Sequence, residues 1–348
     1  MVDMKRIAIA MSGGVDSSYS ALLLKKTYAP KGTIVGVSFL LFEELRPQLE
    51  KARQIAEHIG IEHHIIDLRE DFQREVKDYF LRSYAQGLTP NPCAICNRTI
   101  KFGLVPRLIL KSISVDGYAT GHYVSKGEHK GYILLKSSSN KARDQSYFLA
   151  LIERDLIPLL LFPVGNFSSK EEVIKLAKEE GLNIFQFKES QDVCFLQGKT
   201  LREYLREYLP EREGEIIYRG KRVGTHMGIH FYTLGQRKGL RIPLGRPLYI
   251  VRIDERENKL YLGDEQELLR ESFYVKDINF HLPLDRWNRV SAQIRYRTER
   301  IVISDIVPEG SLWRIKLAKP TKRITPGQIC AFYEGDYLLG GGIIAKDI

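Results

Sequence analysis

Cysteine is scarce, with four in 348 residues. That is too few to staple a chain of this size, so a reducing compartment is expected, with thiols kept for chemistry. Long apolar runs are missing too: no stretch approaches the roughly 18–20 apolar residues of a membrane-spanning helix. The N-terminus passes straight into "KRIAIAMSGG" without the pattern of an export signal, and a cytoplasmic protein with no membrane partner is expected. Acidic residues are absent from two long stretches. Residues 219–246 carry seven Lys/Arg and residues 310–333 carry five, with no Asp or Glu in either. In a chain of net charge +10, such stretches with interleaved aromatics fit a polyanionic partner. A solvated basic surface or a heat-adapted composition would leave the same pattern.

The chain is long enough for two or three domains with ample core. Residues 5–11, "TIVGVSFL" (33–40), "EHHIIDL" (62–68) and "GYATGHY" (117–123) read as strands, with helical spacing between them. Alternating strands and helices imply a doubly wound parallel sheet, whose ligands sit beyond the strand C-termini. Near "YLPEREGEI" (208–216) the helical spacing gives way to short alternating runs: "EIIYRG", "HFYTLG", "LYIVRID", "KLYLG", then "VSAQIRYR", "LWRIKLA" and "ICAFYEG". These suit a small β domain followed by a β-barrel. Residues 1–210, 211–272 and 273–348 are the expected units.

The loop "AMSGGVDSSYS" (10–20) joins the first strand to the first helix and lacks the lysine of a P-loop. Gly13 and Gly14 let backbone N–H groups approach phosphate oxygens; Ser12, Ser17 and Ser18 can add hydroxyls, and the helix start adds its dipole. Asp16 repels phosphate and suits a bridging Mg²⁺. Ser and Asp at a helix start are also ordinary capping residues. The nucleotide reading gains weight from the strand–loop–helix setting.

"TPNPCAICNRTIKF" (89–102) places Cys93 and Cys96 ahead of a helix, and "ESQDVCFLQG" (189–198) supplies Cys194, 98 residues after Cys96. Arg98 and Lys101 nearby would lower the thiol pKa values and make nucleophiles. A structural zinc site would need a fourth ligand such as the distant Cys330, which reads instead as an inert buried thiol. His226 and His230, four apart, fall in strand and turn rather than on a helix face, and His63 and His64 read as packing.

"SGGVDSS" resembles the PP-loop signature of N-type ATP pyrophosphatases. With "TGHY", "RDQSYFL" (143–149), "LFPVG" (161–165), "LGQRKGL" (234–240), "IRYR" (294–297), "TPGQ" (325–328) and "GGGII" (340–344), the whole chain is similar to the bacterial tRNA-specific 2-thiouridylases. The resemblance implies a transferase with an adenine-nucleotide α-hydrolase-like first domain. It uses ATP and Mg²⁺ to adenylate O2 of the wobble uridine, then transfers sulfur from a cysteine persulfide. Cys194 would carry the persulfide and Cys96 would be its partner nucleophile, with a disulfide closing as sulfur leaves. ATP would be held by Ala10, Met11, Ser12, Gly13, Gly14, Val15, Asp16, Ser17, Phe39 and Gly121. Asn91, Pro92 and Cys93 would border the target base. His122, Arg143, Asp144, Gln145, Arg295, Tyr296 and Gln328 would contact tRNA. The implied partners are tRNA with lysine, glutamate or glutamine acceptors, and a cysteine desulfurase or relay protein as sulfur donor.

Cys93 departs from the pattern, in which an Asp stands at that position. Three cysteines admit a variant in which Cys93, Cys96 and Cys194 hold a [4Fe-4S] cluster. A PP-loop ligase for a small metabolite would need a glutaminase segment that the chain does not offer. A non-catalytic RNA-binding protein would have no use for an intact loop and three cysteines.

Overall fold

The computed structural model describes residues 4–28, 32–182, 193–240, 242, 245–322 and 324–346. Glu189–Asp192 of the Cys194 motif, and Arg241 and Arg323 of the basic stretches, lie outside the described residues.

The N-terminal unit is built on β1 (Arg6–Ala10), β2 (Thr33–Leu40), β3 (Glu62–Asp67) and β4 (Gly117–Ala119). A hairpin, β5 (Val124–His129) and β6 (Tyr132–Ser137), precedes the short β7 (Leu160–Leu161). Five of these strands form a parallel sheet of order β3-β2-β1-β4-β7. The chain moves outward from β1 to β3, then crosses back to β4, so the order reverses between β1 and β4. Clefts form at such reversals, beyond the strand C-termini.

Strand periodicity buries the two faces separately. Ile7, Ile9, Met11 and Ala119 pack into one core with α1 (Val15–Tyr28), α2 (Arg46–Ile59) and a helix over 170–179; Ala8, Val37 and Tyr118 pack into the other. On that second face α3 (Arg69–Phe72) runs through a π-turn into α4 (Asp78–Ala85), and α5 (Pro92–Cys96) runs through the π-helical Asn97–Leu104 into α6 (Val105–Ile113). The 170–179 helix is α7 (Lys170–Glu179), and α8 (Leu201–Tyr208) follows. The doubly wound reading of the sequence agrees with this sheet.

Beyond α8 the chain is β-rich. β8 (Gly214–Tyr218), β9 (Lys221–His226), β10 (Tyr249–Asp254) and β11 (Lys259–Gly263) form a sheet of order β10-β11-β8-β9. β12 (Arg270–Phe280), β13 (Ser291–Gln293), β14 (Ile301–Glu309), β15 (Leu312–Thr321), β16 (Ile329–Glu334) and β17 (Tyr337–Ile344) follow. Their order β12-β15-β14-β13-β16-β17, closed by β17 pairing with β12, makes a six-stranded barrel. "HFYTLG" is not a strand: Ile229–Phe231 is a 3₁₀ turn, and Tyr232 and Thr233 leave it without pairing.

The barrel and the N-terminal unit share one core. Tyr147, Leu149 and Ala150 pack with Ile329, Ala331 and Tyr333. The buried Tyr147 hydroxyl donates to Ile329 O at 3.0 Å, and Ser146 Oγ bonds the Tyr333 hydroxyl at 3.0 Å. The β5–β6 hairpin joins the barrel's sheet through Tyr337 against Lys136.

Candidate active site

The loop after β1 is shaped by close approach. Gly13 has φ +74, and a Cβ there would lie 2.6 Å from Gln48 O. A Cβ on Gly121, at the end of β4, would lie 2.7 Å from Ser17 N. Glycine at position 13 lets the loop lie against α2, and glycine at position 121 lets the chain beyond β4 close on the start of α1. Ser17 Oγ sits 3.2 Å from both Ser12 N and Ser12 Oγ, and donates to Gly14 O at 3.0 Å. Ser18 is different: its hydroxyl is buried and donates to Gly14 O at 2.8 Å, so it braces the turn instead of facing a phosphate.

Asp16 has partners that the sequence did not announce. The Tyr123 hydroxyl donates to its Oδ1 at 2.8 Å, and Lys170 Nζ lies 3.4 Å from Oδ2. With both oxygens engaged, one of them by an ammonium, the carboxylate does not offer Mg²⁺ a ready ligand. Lys170 opens α7 behind the capping Ser169, whose Oγ accepts from Glu172 N at 3.1 Å. A lysine behind a serine cap is the faint signal that sequence reasoning passed over.

The loop opens into a cavity of about 420 Å³. Ala10, Met11, Ser12, Gly14, Asp16, Ser17, Phe39 and Gly121 line it from the nucleotide side; Pro92, Cys93, Cys96 and Cys194 line it from the other. Val15 is buried beneath the loop, outside the lining. Cys93 and Cys96 arrive on α5. Asn91 caps that helix by accepting from Ala94 N at 3.0 Å, so its side-chain oxygen is used locally.

Cys194 arrives through aromatic packing. Phe195, buried beside it, meets Phe80 edge-on at 5.1 Å, Phe72 at 5.9 Å and Tyr204 at 5.4 Å. This cluster pins the turn Cys194–Leu196 to α3, α4 and α8 and closes the separation from Cys96. Cys93 and Cys194 present surface to the cavity, Cys96 lies deeper, and all four cysteines are free thiols.

Burial pushes Cys96 up to about 12 and Cys93 up to about 11, and raises Cys194, while Lys101 opposes the rise in each. The lowered thiol pKa values expected from nearby bases are therefore corrected: desolvation outweighs Lys101. Lys101 lines the same cavity and acts on His122, which burial first and Lys101 second hold neutral at about 3. Among the described residues no three His, Cys, Asp or Glu side chains converge closely enough to hold a metal ion. The three thiols line one cavity.

The residues expected to touch tRNA divide. His122 and Gln145 line the cavity, with Thr120 Oγ1 2.9 Å from His122 Nδ1 and Gln145 Oε1 accepting from Tyr123 N at 2.9 Å. Arg143 ends a short turn and is half-buried, and Arg295 is exposed. Tyr296 packs on Phe148 at 4.4 Å, and Phe148 is cavity wall. The Asp144 carboxylate accepts from Ser138 N, Ser146 N and Ser146 Oγ, which fixes its own loop. Gln328 is buried in the barrel with its amide on the backbone of residues 89 and 90. His226 is buried and bonded to Asn258 O, without a metal-binding arrangement. Asn97, Phe148 and Tyr123 are site residues that sequence reading missed; Tyr123 closed a quoted motif without drawing notice.

Three family models match in succession: a tRNA methyl transferase HUP domain over residues 5–198, a tRNA methyl transferase PRC-barrel domain over 202–264, and an aminomethyltransferase beta-barrel domain over 270–344. A tRNA-specific 2-thiouridylase MnmA of Aquifex aeolicus is 42% identical, with 99% of each chain covered. Its counterpart in Persephonella marina is 41% identical over 97% of this chain and 99% of its own. The U34-tRNA thiolase NcsA of Methanococcus maripaludis, solved with its [4Fe-4S] cluster, superposes with a TM-score of 0.38 at 18% identity, over 58% of this chain and 63% of that one. That likeness is too loose to bear on the reaction. A glycine-shaped nucleotide loop, three thiols in one cavity and full-length identity above 40% lead to the same place: the chain belongs to the family of the tRNA-specific 2-thiouridylases.

Proposed function

We propose that this chain is a tRNA-uridine 2-sulfurtransferase that uses ATP to replace O2 of the wobble uridine with sulfur. One observation carries this reading: the loop of Ser12–Ser17 and the thiols of Cys93, Cys96 and Cys194 open into a single cavity. A flipped uridine can enter that cavity, which a stacked base cannot do. Its O2 attacks the α-phosphorus of ATP and pyrophosphate leaves, so that O2 becomes part of a good leaving group. The terminal sulfur of a Cys194 persulfide then bonds C2, and AMP departs with the C2–O2 electron pair. The Cys96 thiolate attacks Cys194 Sγ; the sulfur–sulfur bond breaks, its electrons pass to the sulfur left on C2, and a Cys96–Cys194 disulfide remains for a reductant to reopen.

The chain's own groups divide this work. Backbone N–H groups of the loop and the start of α1 face the phosphates. Phe39 offers an apolar wall for adenine, and Cys93 borders the base. Lys101 stabilises sulfur anions as they form. Mg²⁺ would enter with the triphosphate and neutralise its charge. The desulfurase or relay protein that loads Cys194, and the lysine, glutamate and glutamine tRNAs, are the partners this reading entails.

Nucleoside mass analysis after incubation with tRNA, ATP, Mg²⁺ and a sulfur source tests the proposal. The expected product is 2-thiouridine, formed only with ATP and lost in Cys194→Ala. A methyl adduct in its place, or an unmodified base, defeats the reading.

A further inference from the structure

Thr89, two residues ahead of the cap of α5, bonds both β-rich units at once. Its N–H donates to Pro326 O at 2.9 Å, and its carbonyl accepts from Gln328 Nε2 at 2.8 Å. Its hydroxyl bonds Thr233 Oγ1 at 3.1 Å, in the segment between the central sheet's strands β9 and β10. Gln328 reaches on to Pro90 O at 3.3 Å. Between these partners stands Gly327, at φ +93, where a Cβ would lie 3.0 Å from the N, C and O atoms of Thr89. On the central side, a Cβ on Gly87 would lie 2.7 Å from Ile253. The segment 87–90 is thus wedged between barrel and central sheet, and it leads directly to Asn91, Cys93 and Cys96.

We propose that Gln328 and Thr89 are positioning residues for the cysteine-bearing helix, and that the barrel and central sheet set its orientation through them. The inference rests on the thiouridylase reading for its kinetic consequence. The amide of Gln328, expected to meet tRNA, is already spent on two backbone carbonyls, and releasing it would unpair both. Side chains placed by a buried hydrogen-bond pair hold a reacting group to within a fraction of an ångström, and small misplacements are costly in rate. Contacts that tRNA makes with either β-rich unit would therefore reach the cysteine-bearing helix through Thr89, beside the packing of Tyr296 on Phe148.

Gln328→Met keeps the shape and loses both bonds; Thr89→Val loses the hydroxyl bond, and Thr89→Ser retains it. For Gln328→Met the single-turnover thiolation rate should fall about tenfold or more, with tRNA and ATP affinities within about twofold of the parent. Thr89→Val should fall in the same sense, and Thr89→Ser should recover the rate. A Gln328→Met variant with weakened tRNA affinity and an unchanged rate would overturn the proposal and make Gln328 a plain tRNA contact. A second measurement needs no thiolation: attack of methyl methanethiosulfonate on the buried Cys96 of the full chain, with buried Cys330 as internal reference. Faster attack on Cys96 alone in Gln328→Met supports the clamp even where the parent chain makes no 2-thiouridine, and equal protection in parent and variant refutes it.

Discussion

Lys101 acts on all three cavity thiols and on His122, yet the thiols stay above their ordinary range because the cavity walls remove more solvation than one ammonium returns. The sequence showed the lysine but not the burial, so the balance between the two came out with the wrong sign. A thiol held near 12 is almost wholly protonated at pH 7, and its thiolate fraction grows about tenfold with each unit that the pH rises toward that value. Alkylation of Cys96 by iodoacetamide, followed by mass spectrometry, should therefore steepen in that way from pH 7 to 9. Lys101→Met should slow it at every pH by removing the opposing cation. A flat profile would mean that the thiolate already exists in the free protein.

The glycine loop is an element whose neighbouring glycines carry different duties. Gly13 needs its left-handed backbone and abuts Gln48 O, whereas a Cβ on Gly14 would meet Ser12 Oγ at 3.5 Å, an ordinary contact. Gly13→Ala should cost about 1–3 kcal/mol of stability through strain and overlap. Gly14→Ala should leave the melting temperature close to the parent and weaken ATP binding alone, because the added methyl stands where phosphate oxygens approach. Equal melting temperatures for both variants would contradict the geometry. This loop and β2 were legible because the information is local: a run of apolar residues, a turn, a helix start. The sequence marked Cys194 as a candidate but not as sharing a cavity with Cys96, since that placement depends on Phe195 packing among Phe72, Phe80 and Tyr204. The "HFYTLG" error has the same root. Its apolar Phe231 and Tyr232 pack against the central sheet's core without any strand pairing.

At the scale of the whole molecule, two consequences follow from how the units are joined. Arg237 and Lys238 are exposed on the central unit's acid-free stretch. Replacing both with Ala should flatten the dependence of log tRNA affinity on log salt by up to about two units of slope, read by filter binding across a salt series. An unchanged slope would remove them from the phosphate-binding face. The joint itself is acid-sensitive. His281 is fully buried where β12 leaves the barrel, with Nε2 donating to Ile152 O at 3.0 Å, and burial lowers it to about 4. Its folded pKa lies below the unfolded value, so the unfolded chain binds the extra proton between the two. Stability is then complete above about pH 6.5 and is lost as pH falls toward 4. At pH 4 that one group removes about 3 kcal/mol. His63, held at about 4 by burial and bonded to Ser38 Oγ at 2.8 Å, adds to the same slope. Denaturant midpoints measured from pH 7 to 4 should fall for the parent chain and fall less for His281→Gln, whose amide can keep the bond to Ile152 O without taking a proton. If the two curves stay parallel through that window, the barrel joint is not where acid acts.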